Sequence, residues 1–211
     1  MEVFLRDLKD LQWQYRDEIR DRLEEFEHIG MNAPPKRIFA DLAFCILTPQ
    51  SDAHLCWEAV EILRERHLLL KGSAARIAPI LRGRARFHHT KAKNIILARK
   101  NLDELYQKIH SHDSNRQIRE WIVEHIRGLG YKEASHFLRN IGRGEGLVIL
   151  DRHIIRCLCD FGVIVMPPAS FGKKRYLEME ETARSWSKKI GISLLQLDFL
   201  FWLREKGEIF K

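Results

Sequence analysis

Apolar residues recur every three or four positions along nearly the whole 211-residue chain, and no stretch alternates apolar with polar as a half-buried strand must. Phe4, Leu8, Leu11, Tyr15, Ile19, Leu23 and Phe26 set the pattern, with charges on the other face, so an amphipathic helix is expected over residues 3–27. Pro34-Pro35 opens a second helix through Ile38, Leu42 and Ile46, which Pro49 ends. Asp52 is placed to cap the next, which runs through Leu55, Ala59, Ile62 and Leu63. Further helices are expected near 73–82, from about Thr90 to Ile109, over 116–127, and through Ala134, Phe137, Leu138 and Ile141. The last three cover 151–160, 173–189 and 193–205, with a loop marked by Pro167-Pro168. The expected fold is all-α.

At 211 residues the chain is long enough to bury a core. Its 36 basic and 29 acidic residues give a net charge of +7, which favours a polyanionic partner. No leader segment is visible at the N-terminus, where Glu2, Arg6 and Asp7 interrupt any apolar run. No apolar run approaches the roughly 18 residues that a bilayer requires. Cys45 and Cys56 lie in apolar helical patterns, and Cys157 and Cys159 are too close together for the usual zinc pair. Reduced thiols, no metal and a cytoplasmic location are the expectations.

Two short segments carry chemistry. Gly128-Leu129-Gly130 makes a tight turn between two helical patterns, and left-handed backbone angles there are cheap only for glycine. A helix starting at Tyr131 would point free N–H groups outward, which is how helix starts hold phosphates. Arg127 adjoins the turn. An ordinary corner between two helices would look the same. Lys132 falls in the first turn of the helix that follows, and 19 positions later Asp151 closes the apolar run Leu147-Val148-Ile149-Leu150 and opens another helix. Aspartate is a favoured N-cap, so Asp151 has a structural use whatever else it does.

Gly128-Leu129-Gly130-Tyr131-Lys132-Glu133-Ala134-Ser135 resembles the helix–hairpin–helix motif of the endonuclease III-like DNA glycosylase superfamily. Leu147 to Ile154 resembles its apolar segment with the catalytic aspartate, and the 19-residue separation is that of the superfamily. Ile46-Leu47-Thr48-Pro49-Gln50-Ser51-Asp52-Ala53 and Phe87-His88-His89-Thr90-Lys91-Ala92-Lys93-Asn94-Ile95 resemble two further helix junctions, in the same order. Trp202, nine positions before the final Lys211, resembles the tail of the type-2 8-oxoguanine DNA glycosylase/AP lyase family, in which both residues help to form the pocket for the damaged base. The four-cysteine cluster of the iron–sulfur branch is missing after residue 160.

The resemblance implies two helical subdomains, one formed by residues 31–142 and one by 1–30 plus 143–211, with the hairpin at the cleft between them. It implies Lys132 as nucleophile and Asp151 as its carboxylate partner. Trp202, Lys211 and His88 are then expected at the base, with Gln50, Lys91, Arg127, Gly128 and Gly130 on the DNA. The implied partner is double-stranded DNA containing an oxidised base, handled by a monomer without a cofactor, in the cytoplasm and on the nucleoid. A base must leave the duplex to be reached, at a cost of a few kcal/mol. 8-Oxoguanine differs from guanine in carrying a hydrogen on N7, so a buried acceptor facing N7 is satisfied only by the damaged base; leaving it unpaired costs about 1–3 kcal/mol. Two other outcomes stay open: the same lysine chemistry on another oxidised base, and a non-catalytic DNA-binding module that uses only the hairpin.

Overall fold

Helix α3 (Pro35–Leu47) is buried from Ile38 to Leu47 without a break, Asp41 included. A helix apolar all round belongs at the centre of a fold, with other helices covering it. The computed structural model of the chain describes residues 2–165 and 172–211, so the expected Pro167-Pro168 loop lies outside the described residues. Among the described residues there is no strand.

Around α3 pack α4 (Ala53–Glu65), α7 (His88–Lys100), α8 (Leu102–Ile109) and α10 (Tyr131–Asn140). The short α5 (Leu68–Lys71) and α6 (Ala74–Leu81) cover α4 and α7, and α9 (Asn115–His125) lies along α10. The ends of the chain form a second group: α1 (Glu2–Gln14), α11 (Arg152–Asp160) and α12 (Lys173–Ile190) all pack on α13 (Leu194–Lys206). Helix α2 (Arg16–Asn32) touches α1, α3 and α10, and so reaches both groups.

Caps explain most of the boundaries. Asp52 accepts from Leu55 N at 3.0 Å, as expected, and Ser114 and Ser193 each form a reciprocal capping box with a glutamine three residues on. Two expected helices are divided. The one over 3–27 breaks at Tyr15 (φ −106°, ψ 12°), while Leu8, Ile19 and Phe26 on either side remain buried. Periodicity cannot register a one-residue break when both halves present the same face. The helix expected from Thr90 to Ile109 begins at His88 and breaks at Asn101, whose side-chain nitrogen donates to His125 O at 2.8 Å. Helix α5 was not foreseen; it is four residues long and enters through His67 in the left-handed region (φ 56°).

Gly30 marks the tightest approach between helices. A Cβ at this position would lie 2.0 Å from Ile141 O, beyond the end of α10. Gly30→Ala is expected to cost at least about 2 kcal/mol, read as a fall in Tm of about 5 °C or more. An unchanged Tm would mean that α2 moves freely against α10.

Candidate active site

Gly128 adopts φ +95°, and a Cβ there would meet Asn94 Nδ2 of α7 at 2.4 Å. Glycine is therefore required at 128 both by the turn and by contact with its neighbour. Gly130 departs from expectation. Its backbone is extended (φ −97°, ψ −171°) and it serves as N-cap of α10, where a Cβ would touch only Glu133 Oε2 at 3.4 Å. The hairpin thus contains one left-handed residue rather than two. Arg127, Gly128 and Gly130 are exposed, and the Leu129 side chain between them is buried and anchors the turn.

Lys132 follows in the first turn of α10, partly exposed, with Glu133 Oε1 3.9 Å from its ammonium. Asp151 is the N-cap of α11: its Oδ1 accepts from His153 N and Ile154 N, both at 2.8 Å. Its other carboxylate oxygen takes no part in the cap. Asp198 of α13 connects the two. Burial pushes its carboxyl above the usual carboxylate range, Arg139 opposes this, and the charges of both Asp151 and Lys132 act on it. Both groups thus lie within electrostatic reach of Asp198. Asp198 also pairs with Arg139 at 3.0 Å. It lies four residues before Trp202, on the same face of α13. That spacing is the signal by which sequence reading would have found it.

Trp202 is only half-buried and stands outside the apolar core that takes in Leu197, Leu200, Phe201 and Leu203. Its ring meets His153 edge-on at 5.7 Å, which brings it beside the turn that begins at Asp151. Its indole Nε1 is buried without a protein acceptor. The Lys211 ammonium is committed to the protein: it donates to buried Asp41 at 2.6 Å and lies 4.0 Å over the Trp57 ring. Its main-chain oxygen accepts from His136 Nε2 at 3.2 Å. Burial holds the His136 imidazole well below its usual pKa, so the ring is neutral and its unpaired Nδ1 is an acceptor.

Two loops complete the surroundings. Gln50, between α3 and α4, is exposed in the left-handed region (φ 56°). Phe87, the N-cap of α7, is also left-handed (φ 57°) and is 57% exposed. Non-glycine residues occupy this region at a cost of roughly 1–2 kcal/mol. An aromatic side chain so held and so exposed carries no signal in helical periodicity, and sequence reading missed it. His88 follows Phe87, meets the His89 ring at 4.3 Å with the planes tilted by 38°, and has a buried, unpartnered Nε2.

Lys91 is a correction. Expected on DNA, it is buried, and its ammonium donates to Leu47 O and Pro49 O at 2.7 Å and to Ser51 Oγ at 2.9 Å. All three of its donors are used within the protein, leaving none for a phosphate. Ser51 Oγ also accepts from Arg86 N at 2.9 Å, so Lys91 and Ser51 brace the Gln50 loop against the Phe87 loop.

Comparison with known proteins agrees with this geometry. The sequence profile described as 8-oxoguanine DNA glycosylase matches residues 19–192. The 8-oxoguanine DNA glycosylase/AP lyase of Fusobacterium nucleatum is 37% identical over 99% of this chain and 98% of its own length. The crystal structure of the Thermotoga maritima 8-oxoguanine DNA glycosylase superposes with a TM-score of 0.91 at 32% identity, covering both chains in full. The Methanocaldococcus jannaschii glycosylase/lyase, solved with a 15mer DNA containing 8-oxoguanine, gives a TM-score of 0.90 at 28% identity over 99% of this chain and all of that one. A profile matching most of the chain, relatives aligned over nearly its full length and a shared all-helical fold have one meaning: the chain belongs to the 8-oxoguanine DNA glycosylase family.

Proposed function

We propose that this chain excises 8-oxoguanine from double-stranded DNA and then cleaves the strand through a lysine Schiff base. The observation that carries the reading is that Lys132, in the first turn of α10, and Asp151, the N-cap of α11, both lie within electrostatic reach of half-buried Asp198, in a member of a family whose relatives carry the name glycosylase/AP lyase. The two helical groups, 31–142 and 1–30 with 143–211, act as walls of the cleft that receives the strand. The exposed start of α10 and Arg127 hold a backbone phosphate; Gly130 has no side chain to block close approach, and its own N–H is taken by Glu133 Oε2 at 3.3 Å, so the amides that follow it face the phosphate. Gln50 and Phe87, both left-handed, enter the duplex where the nucleotide has left it; strain of this kind gathers at sites of function.

The chemistry follows from the two side chains. The Lys132 amine in its neutral form attacks the anomeric carbon as the glycosidic bond breaks. The base departs with the bond's electrons and takes up a proton. The Asp151 carboxylate stabilises the positive charge that develops on the sugar. Ring opening gives the Schiff base, and loss of a proton from C2′ expels the 3′ phosphate by β-elimination. Trp202 stacks on the extruded base, and the main-chain oxygen of Lys211 accepts the hydrogen on N7, which guanine lacks. Neither step calls on a cofactor, and the protein works as a monomer on nucleoid DNA in the cytoplasm. Among the described residues no helix is long and apolar enough to cross a membrane.

A panel of duplexes tests this reading. Nicking is expected on 8-oxoguanine and on ready-made abasic sites, and much less on guanine or an oxidised pyrimidine. Preference for the oxidised pyrimidine would move the substrate to another base, and no nicking at all would leave a binding module. Trp202→Ala is expected to lower 8-oxoguanine excision by about 10- to 100-fold, the worth of one base stack, while abasic-site cleavage stays near the parent rate. Equal loss on both substrates would remove Trp202 from the base pocket.

A further inference from the structure

Arg119 of α9 and Glu180 of α12 form an ion pair with both side chains almost wholly buried. Arg119 Nη1 donates to Glu180 Oε1 at 2.5 Å and Nη2 to Oε2 at 2.9 Å. Such a pair brings little net stability, because desolvation offsets the attraction, and apolar side chains of similar volume often serve as well. Arg119 Nε is moreover buried without an acceptor. Stability alone does not account for placing these charges here.

Their remaining contacts do. Arg119 Nη1 also donates to Ser135 Oγ at 3.1 Å, and Ser135 lies one turn beyond Lys132 on α10. Glu180 Oε1 also accepts from Val148 N at 3.0 Å. Tyr176, one turn before Glu180 on α12, donates its hydroxyl to Val148 O and accepts from Leu150 N at 3.4 Å. Residues 147–150 belong to no helix and have no strand beside them among the described residues. Buried main-chain groups need partners, and here the side chains of α12 supply them in place of a neighbouring strand. The segment held in this way ends in Asp151.

We propose that Arg119, Glu180 and Tyr176 are positioning residues that set the register between the helix carrying Lys132 and the segment carrying Asp151. The proposal rests on the assignment of those two residues to the reaction. Cut loose from α12, residues 147–150 shift against α10, and a displacement of about 1 Å between reacting groups costs roughly 100-fold in rate. DNA binding, which depends on the exposed hairpin and the loops, is untouched.

The test combines the paired substitution Arg119→Met/Glu180→Leu with Tyr176→Phe, which removes one hydroxyl. Melting, binding to a duplex with an uncleavable abasic analogue, and single-turnover excision of 8-oxoguanine are measured on each. The paired variant is expected to melt within about 4 °C of the parent, to bind the analogue duplex as the parent does, and to excise about 100-fold more slowly. Tyr176→Phe is expected to excise about tenfold more slowly with binding unchanged. A folded paired variant that excises near the parent rate overturns the proposal. If that variant does not fold, Tyr176→Phe decides: excision near the parent rate, or binding lost in step with excision, overturns it. Lys132→Gln runs as the control: if it still forms a borohydride-trapped adduct, the assignment of the nucleophile fails and the register argument goes with it. An untrapped control beside fully active positioning variants sinks the register argument alone.

Discussion

Lys132→Gln is expected to abolish the borohydride-trapped adduct on an 8-oxoguanine duplex and to lower strand cleavage by at least about 1,000-fold, as loss of a covalent nucleophile does elsewhere. The structure makes this a clean substitution. The Lys132 side chain is partly exposed, and the Glu133 carboxylate stands 3.9 Å from it, too distant for a hydrogen bond. Removing such a contact changes stability by about 0.5 kcal/mol or less, so lost activity would not reflect unfolding. Glutamine keeps a polar chain of similar reach but has no amine to form the imine. An adduct that still traps at the parent level would place the nucleophile on another residue.

Asp151→Asn separates the two uses of one side chain. Asparagine is as good an N-cap as aspartate, so its oxygen would still accept from His153 N and Ile154 N, and the melting temperature should stay within about 2 °C of the parent. The negative charge is lost. Excision of 8-oxoguanine is expected to fall by about 100-fold or more, the range found when an electrostatic stabiliser is removed from a site. Cleavage of a ready-made abasic site should fall less, because no glycosidic bond has to break. Asp151→Ala removes cap and charge together and should cost a further 1 kcal/mol or so of stability. If the asparagine variant excises at the parent rate while the alanine variant fails, Asp151 is a cap and nothing more.

Lys91 shows where sequence resemblance and physical role part. Its position in the Phe87–Ile95 motif placed it on DNA, yet the ammonium lies inside, tying the Gln50 loop to the Phe87 loop. A sequence shows that a cation is present but not which way the side chain turns, because an amphipathic stem carries its charge to water or to buried carbonyls equally well. Lys211 is a related case. Resemblance places it at the base, while its ammonium pairs with Asp41 and lies over Trp57.

Local rules read from the sequence determined the all-helical fold, the start of α3 at its prolines, the Asp52 and Asp151 caps, and the glycine turn before Lys132. Each depends on a residue's own backbone preference or on neighbours within one helical turn, so a linear string contains the information. Motif spacing added the proposed pairing of Lys132 with Asp151. Tertiary packing alone decided the rest: that Asp198 lies within electrostatic reach of both, that Trp202 leaves the core for the turn at Asp151, and that Gln50 and Phe87 are held in the left-handed region on adjoining loops. It also decided that Glu180 and Tyr176 hold residues 147–150 from a helix some 30 positions further along. These are contacts between segments far apart in the chain. Their geometry is fixed by how helices fill space against one another, which no local pattern encodes.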